Sequence, residues 1–178
     1  MGLGQTLLTI MSLILMGRLV LNINGTTLDA GFAKDMAEYR ITATSLGTSL
    51  LESANSLKFD EATVDTFLLA TEIGMLTDTS HFGKDFGESG IASFDDVDDF
   101  HNYDTTEAIP NSATFKIHAK VEYIDVFGNS LTVTSAKRFN KLITVYVTSD
   151  YLVNYSFDPP KPDTLIFKSI FSYWYLSL

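Results

Sequence analysis

The residues best suited to chemistry crowd into one short stretch. Asp95, Asp96, Asp98, Asp99 and Asp104 lie within ten positions, with His101 among them. Closely spaced carboxylates repel one another unless water or a cation neutralises them, and Ca²⁺ takes six to eight oxygen ligands. Calcium is therefore the candidate cofactor, and these five acids are its candidate ligands. The spacing departs from a helix–loop–helix calcium site: Asp96-x-Asp98 is followed by Phe100 and His101, with no glycine at the sixth place. The competing expectation is a solvated acidic loop whose aromatics, Phe94, Phe100 and Tyr103, pin it to the fold.

No other constellation suggests catalysis. The three histidines, His81, His101 and His118, sit in unrelated contexts, and none belongs to a nucleophile–base motif. His118 alternates with Lys116 and Lys120 and reads as a solvated residue on the polar face of a strand. No glycine-rich phosphate loop follows a strand. Cysteine is absent, which removes a thiol nucleophile, a thiolate metal site and a disulfide scaffold. The expectation is a protein that is not an enzyme.

The acids are unevenly placed. Residues 60–107 hold thirteen acidic residues and one base, Lys84, while the rest of the chain holds nine acids and eleven bases. The net charge of −10 thus belongs to a middle insert, and it argues against nucleic acid as a partner. With 46% hydrophobic residues among 178, the chain has enough apolar material for a core.

That apolar material is also uneven. From Leu3 to Ile23 the only charge is Arg18. A helix over these residues spans roughly 30 Å at ~1.5 Å per residue, the thickness of a bilayer core. Its polar interruptions are mostly the small Thr6, Thr9 and Ser12, which suit close helix–helix approach. Arg18 can snorkel from near the end of the stretch. Three readings compete: a secretory signal, a single-pass anchor, and a helix that leaves the membrane to pack against its own copies. The first lacks a basic region before the apolar run and a clear small-residue cleavage site after it.

Beyond Asn24-Gly25 a helical pattern resumes over residues 26–58. Leu28, Phe32, Met36, Tyr39, Ala43, Leu46, Leu50, Ala54 and Leu57 recur at steps of three and four, a stripe of period near 3.6. Gly25 is expected either to bend one long helix or to break it into two. Residues 60–112 form an acidic, variable region: 61–78 read as a short helix or a strand with turns, and 80–90 read as a loop with three glycines.

After Pro110 the period becomes two. Phe115, Ile117, Ala119, Val121 and Tyr123 alternate with Lys116, His118, Lys120 and Glu122, the pattern of a half-buried antiparallel strand. Phe127-Gly128-Asn129-Ser130 reads as a turn. A further strand places Ile143, Val145 and Val147 inward, with Thr144, Tyr146 and Thr148 outward. Phe157 to Pro162 reads as a loop, because its prolines do not suit a central strand. Residues 163–178 read as a last strand; their end, Ser172 to Leu178, either completes the sheet or forms a subunit contact or adhesive patch. The fold class is α+β: a long N-terminal helix, apolar then amphipathic, packed on a C-terminal antiparallel β-sheet. The division is 1–24, an apolar half-helix, and 25–178, a head ending in a β-meander over 113–178.

This order of parts resembles a type IV pilin or prepilin-like protein, a pseudopilin or minor pilin. Ala43-Thr44-Ser45-Leu46 through Leu50-Leu51-Glu52, then Phe59-Asp60-Glu61, is similar to the helix end of such proteins. Phe94-Asp95-Asp96-Val97-Asp98-Asp99-Phe100-His101 resembles an acidic stretch found in some of them. The run from Phe139 to Val147 is similar to their penultimate strand. The resemblance covers most of the chain in soft patterns. It implies processing between Gly4 and Gln5, but the basic leader is missing, and Thr9 stands where the family's glutamate is expected.

The resemblance implies a structural subunit of an extracellular type IV pilus-like filament or secretion pseudopilus, bacterial or archaeal. Such a subunit rests in the inner membrane before assembly, and its partners are the pilus or secretion machinery and its own copies. The assembly residues would be Leu7, Leu8, Ile10, Met11, Leu13, Ile14, Leu15, Leu19, Val20, Leu21 and Ile23. The alternative is a single-pass anchored binding or adhesion module that does not polymerise.

Overall fold

The computed structural model describes residues 2–110, 112–128 and 130–173. The chain divides into two compact units, residues 1–40 and 41–178. Helix α1, Leu3–Asn55, is continuous, so Gly25 does not break it. A glycine inside a helix costs about 1 kcal/mol relative to alanine, too little to interrupt a strongly patterned segment.

In the first unit every residue from Gly2 to Asp35 is exposed. Leu28 and Phe32, the start of the expected amphipathic stripe, are 70% and 65% exposed. In the second unit the stripe is buried at Ala43, Leu50 and Ala54 and half-buried at Leu46 and Leu57, and Gly47 beside it is buried too. The glycine is required there: a Cβ at Gly47 would lie 2.3 Å from Cδ2 of Phe167. Small residues at 43, 47 and 54 let the helix backbone lie close upon the sheet.

The sheet has five antiparallel strands: β1 (Tyr103–Ala108), β2 (Thr114–Phe127), β3 (Ser130–Thr134), β4 (Asn140–Asn154) and β5 (Lys161–Ser172). The order β1-β2-β4-β5 departs from a simple meander. Strand β2 is long enough to serve several partners. Its first half pairs with β1, its last residues with β3, and its middle with β4. Tyr123 faces Thr134 on one side and Lys141 on the other. The link 135–139 therefore carries the chain from one edge of β2 to the opposite edge.

The residues read as inward in the sequence are buried; Thr144, read as outward, is buried as well, at 2% exposure on the internal strand β4. Phe115, Ile117, Ala119, Val121 and Tyr123 are buried, as are Ile143, Val145 and Val147 opposite them. Tyr103–Ala108, in the part of the acidic region to which the sequence assigned no element, forms β1 at the edge of β2. The loop after β4 is shorter than expected, because Lys161 and Pro162 already pair with Asn154 and Val153. Proline is tolerated there because β5 is an edge strand and no neighbour awaits its missing N–H. Strand β5 ends at Ser172; the rest of the expected strand, Trp174 to Leu178, lies outside the described residues, as does Asn129 of the expected turn.

Between helix and sheet strands, residues 61–100 form five short 3₁₀ turns, neither the helix nor the strand expected for 61–78. One backbone bridge ties this region together: Lys58 N–H donates to Asp95 O at 3.1 Å, and Val97 N–H donates to Lys58 O at 3.0 Å.

Candidate functional site

The expected assembly residues form an exposed apolar surface, interrupted by Arg18, Asn22 and a few small polar side chains. Leu7, Leu8, Ile10, Met11, Leu13, Ile14, Leu15, Leu19, Val20, Leu21 and Ile23 are each between 52% and 73% exposed. They cover all sides of α1 and not one stripe, as suits a helix solvated by lipid or surrounded by other helices. The threonines in it are self-satisfied: Thr6 Oγ1 donates to Leu3 O at 2.9 Å and Thr9 Oγ1 to Thr6 O at 2.8 Å. A hydroxyl bonded back to its own helix presents a methyl group outward, which lowers the cost of an apolar environment. This one helix is long and apolar enough to cross a membrane.

The acidic stretch takes a different form from the one read in the sequence. Asp96, Asp98 and Asp99 are 2–3% exposed, so they are not a solvated loop. They are organised around Lys141, which has no exposed surface. Lys141 Nζ donates to Phe59 O at 2.7 Å, to Asp60 Oδ2 at 2.7 Å and to Asp98 Oδ1 at 2.5 Å. These three bonds use every proton of the ammonium. The rings of Phe59, Phe82 and Tyr123 close the remaining approaches, with centroids at 4.4, 5.1 and 5.3 Å. A buried charge persists only where such partners replace water.

The acids are held by their own backbone. Asp96 Oδ1 accepts from the N–H groups of Asp98 and Asp99 at 2.6 and 3.2 Å. Asp99 Oδ2 accepts in return from Asp95 N–H at 3.1 Å and Asp96 N–H at 3.3 Å. This is a reciprocal cap across three residues. Asp60 is fixed similarly, accepting from Ala62 and Thr77 N–H and from the Tyr123 hydroxyl. Two oxygens, Asp96 Oδ2 and Asp98 Oδ2, are buried without a hydrogen-bond partner among the described residues.

Protonation follows from this geometry. Burial pushes the Asp60 carboxyl up, but the charge and hydrogen bond of Lys141, with two backbone amides, outweigh it and hold Asp60 below its ordinary value. Burial pushes Asp96 up to about 7, against the pull of Lys141 and two amides. Burial, a hydrogen bond with Glu88 and the charge of Asp96 push Asp99 up to about 8. Asp98 rises well above its ordinary value because burial exceeds what Lys141 returns.

The five acids read as a calcium set are dispersed. Asp96 and Asp98 turn to backbone amides and Lys141. Asp104 stands on the outer face of the sheet, where His118 Nδ1 is 2.8 Å from its Oδ1. His118 lies on the polar face of the strand, as read from the sequence, with its side chain 41% exposed. That pair belongs to a shallow groove of about 480 Å³ lined also by Thr106, Lys116, Tyr146 and Thr148. Only Asp95 and Asp99 stand together, and their carboxylate oxygens lie within 4.8 Å of those of Glu88, which the sequence reading left out. His101 is half-buried: its Nδ1 is 2.7 Å from Val121 O, and its ring packs on Phe82.

Sequence reasoning also missed Lys141. Its signal was present, because Lys141 shares the parity of Ile143, Val145 and Val147 and so had to point into the core. No family model, curated protein or solved structure matches the chain significantly.

Proposed function

We propose that this chain is a structural subunit of an extracellular filament of the type IV pilus or pseudopilus kind, held in a membrane by α1 before assembly. One observation carries the reading. The exposed apolar surface of α1 does not stop where a bilayer core would end. Leu28 and Phe32 are 70% and 65% exposed, and at ~1.5 Å per residue they lie roughly 7 and 13 Å past Ile23 along the helix.

A bilayer covers the run from Leu3 to Ile23 but leaves Leu28 and Phe32 to water. Packing against identical helices covers both parts at once, and burying apolar area is the dominant favourable term in association. An interface between different faces of identical chains propagates into a helical polymer instead of closing.

The second reading, a single-pass anchored binding module, is favoured by the groove around Asp104, Lys116, His118 and Tyr146, a polar, cation-bearing patch on the uncovered face of the sheet. Electron microscopy of material sheared from the cell surface separates the two. Fibres that contain this chain support the filament; a chain found only as a membrane-embedded monomer favours the anchored module.

A further inference from the structure

The connection between β4 and β5 carries the tripeptide Asn154-Tyr155-Ser156. Asparagine followed at the second place by serine or threonine, with no proline between, is the acceptor pattern for N-linked glycans. A second copy of the pattern, Asn24-Gly25-Thr26, occurs in the chain. Their backbones differ, and the difference decides between them.

Asn154 is the last residue of β4, half-exposed, and every residue from Tyr155 to Pro160 is exposed. Its Oδ1 accepts the N–H of Ser156 at 2.9 Å. That bond commits the amide oxygen to the turn and turns the serine back toward the asparagine. Asn154 Nδ2 makes no hydrogen bond among the described residues. The nucleophilic end of the side chain is thus free, on a turn with room for a bulky substituent.

Asn24 has none of this. It lies inside α1, where the N–H of Thr26 belongs to the helix ladder. The Thr26 hydroxyl is also bonded back, to Asn22 O at 3.2 Å and Ile23 O at 2.9 Å. The helix leaves no amide for Asn24 Oδ1, and the residue directly abuts the apolar run.

We infer that Asn154 is a glycan acceptor and that Asn24 is not. The inference rests on the filament reading to the extent that it places the head outside the membrane. The donor is an oligosaccharide linked through pyrophosphate to a lipid. Asn154 Nδ2 attacks the anomeric carbon, and the Nδ2–C1 bond forms as the C1–O bond to phosphate breaks. The lipid pyrophosphate leaves with the electron pair, one amide proton passes to a base of the transferase, and nothing is oxidised. The attached sugar would cover Tyr155 and Phe157, aromatic side chains now 56% and 49% exposed.

The test is mass spectrometry of the full chain isolated from the cells that make it, with protease added to intact cells to report which side the head occupies. The expected result is a hexose-containing mass increment on the peptide that spans Asn154 and none on the peptide that spans Asn24. The increment should vanish in Asn154→Gln and in Ser156→Ala, persist in Ser156→Thr, and be unchanged in Asn24→Gln. A bare Asn154 on a chain whose head is cleaved from outside overturns this inference alone. A head protected in intact cells overturns the filament reading and this inference together.

Discussion

Lys141 Nζ lies 2.7 Å from Asp60 Oδ2, and neither side chain has any exposed surface. The pair joins the sheet to the turn that follows α1, and Asp98 joins the acidic region to the same ammonium. Removing one partner of a buried ion pair leaves an uncompensated charge, at a cost of about 3–5 kcal/mol. Lys141→Met should therefore lower the stability of the full chain in detergent by that amount, measured by denaturant unfolding. Adding Asp60→Asn and Asp98→Asn should recover part of the loss. A single variant within ~1 kcal/mol of the parent would contradict the central place given to Lys141.

The same cage sets a pH dependence. Asp96 and Asp99 have folded values of about 7 and 8, above the ordinary 3.8. The folded state therefore holds more protons than the unfolded state between about pH 4 and pH 8. The stability that these groups contribute is complete below about pH 4 and is lost as pH rises through 7 and 8. Asp60, held low, acts in the opposite sense only below its ordinary value. The full chain in detergent should melt lower at pH 8 than at pH 5 by at least ~2–4 °C, equivalent to about 1 kcal/mol at this size. Asp96→Asn keeps the acceptor for Asp98 and Asp99 N–H and should flatten that slope. An equal slope in the variant would show that Asp96 is not the titrating group.

Gly47 offers a sharper packing test. A methyl group there meets Cδ2 of Phe167 at 2.3 Å. Overpacking of this kind costs about 1–3 kcal/mol, more than the ~1 kcal/mol that alanine returns through helix propensity. Gly47→Ala should thus destabilise, and its cost should shrink in a Phe167→Ala background. Gly31→Ala, with open space at its Cβ position, should be neutral or stabilising in the same unfolding assay.

Much of this architecture is legible in the residues, and what is not has a physical reason. The inward parity of Phe115 to Tyr123 and of Ile143 to Val147 is a period of two that strands cannot disguise. The run from Leu3 to Ile23 declares a helix by its composition. The turns of 61–100 are hidden because 3₁₀ segments of three to six residues are too short for a periodicity to be read. The fate of Asp96, Asp98 and Asp99 is hidden for a different reason: their compensating charge is some forty residues away on β4 and becomes a neighbour only when the sheet forms. Pairing of β2 with β3 and β1 along one edge and with β4 along the other is likewise a choice among edges that no local pattern encodes.

The apolar helix carries the functional account. Leu13 is 69% exposed, and a carboxylate placed there costs roughly 2.5–3.5 kcal/mol in a membrane and is costly again between packed helices. Leu13→Asp should abolish fibres at the cell surface while the head stays folded, with an unchanged unfolding transition, since none of the head's buried contacts involves residue 13. Fibres that persist in this variant would remove the apolar helix from the polymer core.

The most direct test is a photocrosslink at Phe32, which is 65% exposed on α1 and lies past the end of a bilayer-length span. A benzophenone side chain at this position, irradiated in intact cells, reports what covers the helix there. A filament predicts a ladder of covalent multiples of the 19.7 kDa chain, which should collapse to monomer when Leu13→Asp is added. Monomer alone at both positions of that comparison, with or without the carboxylate, would contradict the claim that α1 packs against its own copies.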